Sequence, residues 1–112
     1  MKKLLLPLLA LATLVSCGQS EEEKVLTREV HKKYKEEQIR ADTSVPFNIL
    51  NLEVKSKEGR TDTTIYEVEF DIQETFPSRM VYYDGHTTIN RINGKGYDVG
   101  TLFYYENKKL NR

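Results

Sequence analysis

Along residues 48–57 the apolar side chains Leu50, Leu52 and Val54 alternate with Asn51, Glu53 and Lys55. Along 64–73, Tyr66, Val68, Phe70 and Ile72 alternate with Glu67, Glu69 and Asp71. A period of two sends successive side chains to opposite faces, so both runs predict half-buried antiparallel strands. The polar segment Lys57–Asp62, which contains Gly59, predicts the hairpin loop between them. Phe76-Pro77-Ser78 breaks the pattern, and Arg79–Tyr83 begins a third strand that meets Asp84-Gly85, the dipeptide suited to a two-residue type I′ turn. His86–Ile92 predicts a fourth strand, Asn93–Gly96 a second turn and Tyr97–Glu106 the last strand, before a basic, polar tail. Ahead of the strands, residues from about Glu21 to Asp42 contain no glycine or proline, and Glu29/Lys33 and Glu36/Arg40 are favourably oriented i,i+4 pairs. That segment predicts a helix with a thin apolar stripe, Leu26, Val30, Tyr34 and Ala41, which also holds Glu37. Asp42-Thr43-Ser44 and Val45-Pro46 end it, because the residue before proline is pushed out of the helical region. The fold class is therefore α+β: one N-terminal helix packed on a four- or five-stranded antiparallel meander sheet.

Register sharpens this picture. A turn at Asp84-Gly85 pairs Tyr83 with His86 and Met80 with Ile89, so Met80, Tyr82, Thr87 and Ile89 share one face while Val81, Tyr83, His86 and Thr88 share the other. A four-residue loop at Asn93–Gly96 pairs Ile92 with Tyr97 and Thr87 with Leu102. Leu102 and Tyr104 then join the Met80 face, and Ile92, Tyr97, Val99, Phe103 and Tyr105 join the Tyr83 face. Both faces of the last strands are apolar, yet the helix stripe is wide enough for one. Two readings stay open: the chain covers its own second face, or Tyr83, Tyr97, Phe103 and Tyr105 form an exposed aromatic surface for a partner, a ligand or a second copy.

The start of the chain changes where this domain is expected to work. Lys2 and Lys3 precede an uncharged run from Leu4 to Val15, and Ser16 precedes Cys17; these are the basic, apolar and small-residue parts of an export signal. Twelve apolar residues make a helix of about 18 Å, too short for about 30 Å of hydrocarbon. Leu14-Val15-Ser16-Cys17 resembles the lipobox of bacterial lipoproteins. That resemblance implies a diacylglyceryl thioether on Cys17, cleavage before it and acylation of the new amino group, with the membrane as a partner through that lipid. The expected organisation is a signal peptide over 1–16, a lipidated cysteine and short tether over 17–19, and one small domain over 20–112. Ser20-Glu21-Glu22-Glu23 reads in two ways. It has the form of a capping box with an acidic first turn, and it resembles the acidic signal by which some Bacteroidetes lipoproteins reach the outer face of the cell. Gly18 in place of the aspartate that retains enterobacterial lipoproteins in the inner membrane makes the outer membrane the expected location.

Composition and candidate chemistry narrow the function classes. The chain carries 17 basic and 17 acidic residues; losing Lys2 and Lys3 with the signal leaves 15 against 17, which gives no reason to expect nucleic acid. Cys17 is the only cysteine, so no intramolecular disulfide forms and none is left for a metal. His31 and His86 have no ligand spacing; no metal and no cofactor is expected. Asp84 and His86 could pair as a base and its orienter, but no nucleophile elbow or glycine-rich phosphate loop accompanies them. The element order over roughly 20–106 resembles a cystatin-like fold without the inhibitory motifs of the cystatins. The leading expectation is a non-enzymatic binding module at the envelope: an inhibitor, an immunity-type protein or an accessory subunit. A homodimeric or structural lipoprotein using its second sheet face comes next, and a small hydrolase-like enzyme third.

Overall fold

The computed structural model describes residues 19–111; Cys17 and the segment before it, on which the anchor rests, lie outside the described residues. Helix α1 spans Glu21–Arg40. Its start is a reciprocal capping box, in which Glu23 N–H donates to Ser20 Oγ at 3.1 Å and Ser20 N–H donates to Glu23 Oε1 at 3.2 Å. Three glutamates in the first turn suit the positive end of the helix dipole. Its end is a Schellman closure: Thr43 N–H donates to Gln38 O and Asp42 N–H to Ile39 O, with Asp42 in the left-handed region at φ 58°. The helix thus stops just before Asp42.

Five strands follow: β1 Phe47–Gly59, β2 Thr63–Phe76, β3 Arg79–Ile92, β4 Gly96–Val99 and β5 Phe103–Glu106. The antiparallel sheet runs β1-β2-β3-β4, and β5 also pairs with β3, further along the same edge. The arrangement is α+β, with the helix N-terminal to the sheet, as the alternation of apolar and polar residues predicts.

The strand count agrees, but two boundaries do not. No turn forms at Asp84-Gly85; β3 runs through it, pairing Asp84 with Asp71 and Gly85 with Phe70. The turn between β2 and β3 is at Pro77-Ser78, where the sequence breaks, and β2, which alternates without a break to Glu74, has in β3 a partner of equal length. Gly85 serves close approach rather than a turn: a Cβ there would lie 2.5 Å from the Phe70 ring. The predicted last strand divides in two. Ile92 pairs with Gly96 rather than Tyr97, and the chain gains one residue between Val99 and Phe103 while β3 advances from Ile89 to His86. That extra residue is a bulge, held by Gly100 N–H donating to Thr88 O and Thr87 Oγ1 donating to Thr101 O. A further break in the β1–β2 register lies between Leu50 and Glu53, at Asn51 with φ 57°. It turns Ile49 and Leu52 to the core and leaves Leu50, expected there, only half-buried.

Side chains on one face of the sheet meet the helix. Leu26, Val30 and Tyr34 of α1 pack on Ile49, Leu52, Tyr66, Val68, Phe70, Ile72, Ile89 and Leu102, with Phe47, Val54, Tyr83, Tyr97 and Val99 at the margin. The first turn of the helix is stitched to the sheet. Glu23 Oε2 accepts from Val54 N–H at 3.1 Å, and Glu22 Oε2 accepts from Tyr66 OH at 2.7 Å and Lys57 Nζ at 2.9 Å. Gln19 Nε2 donates to Leu52 O. These bonds satisfy part of the outer edge of β1, which would otherwise be open to pairing. Among the described residues no helix is long and apolar enough to cross a membrane.

Candidate functional site

With α1 on one face, the opposite face of the sheet is the open one, and strand periodicity decides what stands on it. From β2 come Glu67, Glu69, Asp71 and Gln73; from β3, Met80, Tyr82, Asp84, His86 and Thr88; from β5, Phe103 and Tyr105. Two cross-strand rows lie side by side. One runs Glu53–Glu69–His86–Phe103, the other Asp71–Asp84–Tyr105. Two opposed like-charge pairs, Glu53 with Glu69 and Asp71 with Asp84, sit where such pairs oppose folding. Lys55 bridges the first, 3.3 Å from Glu53 and 3.8 Å from Glu69. The second is held by amides: Asn51 Nδ2 donates to Asp71 Oδ2 at 2.8 Å, and Asn107 Nδ2 to Asp84 Oδ1 at 3.1 Å.

Aromatic rings close the rows on the β5 side. His86 stacks near-parallel on Phe103, with centroids 5.3 Å apart, and faces Tyr105 at 6.3 Å. Phe103 is 51% exposed and Tyr105 65%. A groove of about 480 Å³ lies between rings and carboxylates, lined by Glu53, Glu69, Asp71, Asp84, His86 and Tyr105 among others. The segment after β5 frames one end: Asn111 exchanges two hydrogen bonds with the backbone of Tyr82, accepting from its N–H and donating to its O, and Asn107 N–H also donates to Tyr82 O.

Of the four aromatics expected together, Phe103 and Tyr105 share this face, and His86 is with them as the register predicts. Tyr83 and Tyr97 are on the helix side. Tyr83 is there because β3 has no turn before it reaches His86, so Tyr83 and His86 alternate to opposite faces. Tyr97 is there because the bulge lies between it and Phe103. Thr87 and Ile89 move for the same reason, joining Val81 and Tyr83 inside.

The helix-side cluster has its own chemistry. Glu74 is 8% exposed and its Oε2 accepts from Tyr34 OH at 2.5 Å. Burial first, and that hydrogen bond second, push the Tyr34 hydroxyl far above the usual tyrosine range. Burial likewise raises Tyr83, with the Glu74 charge adding to it, and Tyr104, with the Glu37 charge adding. Glu37, which the sequence places in the helix stripe, is half-buried; the buried carboxylate is Glu74, next to Thr75-Phe76 at the end of β2. His31 stacks on Phe47 at 4.4 Å on the helix side, so the two histidines lie on opposite sides of the sheet. Among the described residues no three His, Cys, Asp or Glu side chains gather as a metal site.

The acidic rows are the part of the site that sequence reading passes over. Glu67, Glu69 and Asp71 register there only as the polar half of an alternating strand; the signal was that all three carry the same charge. The fold and site define a small α+β protein whose sheet carries acidic and aromatic side chains on the face away from its helix. Comparison with protein-family models, curated proteins and solved structures finds no match to this chain.

Proposed function

We propose that this chain is a lipid-anchored bacterial envelope protein, tethered through lipid on Cys17, that acts without catalysis by binding another envelope component through the open face of its sheet. The observation that carries the reading is the pair of exposed rings, Phe103 and Tyr105, stacked around His86 beside a groove. Large aromatic side chains are enriched where surfaces bury against partners, and among the described residues no element packs over these two. The lipobox-like segment supports the anchor, and the short tether Gly18-Gln19 holds the domain next to the membrane. An outer-membrane location follows from Gly18 and from the likeness of Ser20–Glu23 to a surface-export signal.

Two experiments test the reading. Labelled fatty acid should enter the wild-type chain and not Cys17→Ser; a wild-type chain without label removes the anchor. The lipidated protein should retain a partner from envelope extract of its own source, and Phe103→Ser with Tyr105→Ser should lose it while remaining folded. Equal capture by that double variant would mean that the open face is not the binding surface.

A further inference from the structure

We infer that the open face recognises arginine side chains carried on an extended segment of a partner protein. The inference rests on the reading of that face as a binding surface and names its occupant. Charge sets the sign. Asp71 and Asp84 stand directly opposite each other, and the amides of Asn51 and Asn107 orient their carboxylates without neutralising them. Among the described residues no lysine or arginine forms a salt bridge with either. Opposed carboxylates gain most from a cation placed between them.

The rings choose which cation. Tyr105 pairs across the strands with Asp84, and its exposed ring stands on the same face as that carboxylate. A guanidinium is planar and weakly hydrated, so it stacks on a ring while its fork reaches a carboxylate; an ammonium is compact and holds its water. Spacing selects a polypeptide. Glu69, still 61% exposed beside Lys55 at 3.8 Å, and Asp71 stand two residues apart on β2, about 7 Å at the rise of a strand, and alternate side chains of an extended partner repeat at that same interval. A second copy of this chain would present the same carboxylates to each other, and an anionic lipid surface would be repelled.

The test uses full-length protein in detergent at about 0.15 M salt, where weak surface attraction is screened. The probe is an acetylated, amidated Gly-Arg-Gly-Arg-Gly-Arg-Gly peptide, with lysine and glutamate versions and spermine alongside. The arginine peptide should bind most tightly. Asp71→Asn with Asp84→Asn should weaken it by about tenfold or more, the loss expected for a charge-assisted hydrogen bond. Tyr105→Ser should weaken it as well, and Glu36→Gln with Glu58→Gln, the same change of charge elsewhere, should not. Removing the opposed charges should leave the thermal midpoint equal or higher, so lost binding is not lost folding. Arginine recognition is overturned by equal binding to spermine or the lysine peptide, by binding indifferent to Asp71 and Asp84, by capture of anionic vesicles through these residues, or by a dimer that hides the face. Should Phe103→Ser with Tyr105→Ser lose the envelope partner while Asp71→Asn with Asp84→Asn keeps it, the face remains a binding surface and only its arginine specificity falls.

Discussion

Single residues decide which way this sheet faces. Asp84-Gly85 carries a strong short-range hairpin signal, yet Gly85 is in the middle of a strand, where the ring of Phe70 across the ladder occupies the space of a side chain. Gly85→Ala should therefore cost about 1 to 3 kcal/mol, since Phe70 is 3% exposed and has little room to turn. Denaturant titration would measure it, and Phe70→Leu in the same chain should return part of the loss; a neutral Gly85→Ala would mean that the ring moves freely. This residue also shows why the candidate site was half legible. His86, Phe103 and Tyr105 group correctly from sequence because the pairing of Thr87 with Leu102 matches the His86–Phe103 register. Tyr83 and Tyr97 do not, because a dipeptide cannot say whether its glycine makes a turn or receives a ring. A one-residue bulge likewise leaves no mark in an alternating pattern.

At the scale of elements, what could be read was whatever depends on local chemistry. The helix start follows from Ser20 and Glu23, and the end from the polar run at Asp42. What a sequence does not display is that one glutamate works in two elements at once. Glu23 caps its own helix with one oxygen and accepts the Val54 N–H of β1 with the other. Glu23→Ala should cost about 1 to 2 kcal/mol, combining a cap and a part-buried hydrogen bond, and Glu23→Gln should cost less. Amide exchange at Val54 should quicken in Glu23→Ala; an unchanged Val54 would show that the bond to β1 is not formed in solution.

For the whole molecule, one layer of core lies between α1 and the sheet, and the two sheet faces should respond differently to truncation. Tyr105→Ala should shift stability by no more than about 0.5 kcal/mol, whereas Tyr83→Ala removes a ring packed on Tyr104 and should cost several times that. Comparable thermal losses would mean that both rings are core. Alkali tests the covered face. Tyr34, Tyr66, Tyr83 and Tyr104 all have hydroxyl pKa values raised in the folded state, chiefly by burial. Unfolded tyrosines release their protons near pH 10 while these hold theirs, so their contribution is complete below about pH 10 and declines as pH rises beyond it. The denaturant midpoint should fall above that pH, less steeply in Tyr34→Phe; equal slopes would remove Tyr34 from the effect. At the acid end Glu22, lowered by its bonds to Lys57 and Tyr66, gives a contribution present above about pH 4.5 and lost as pH falls through its depressed value. The thin stripe of α1 has a last consequence, for the order in which the chain is made. Synthesis delivers the helix before any strand, and only Leu26, Val30 and Tyr34 on it are destined for the core. A nascent segment so sparsely apolar offers little for other chains to stick to while it waits, and most of a helix's stability in a protein comes from packing its apolar face. Two long hairpins with short turns then form from neighbouring sequence, so the surface that completes the helix arrives in the order it is translated.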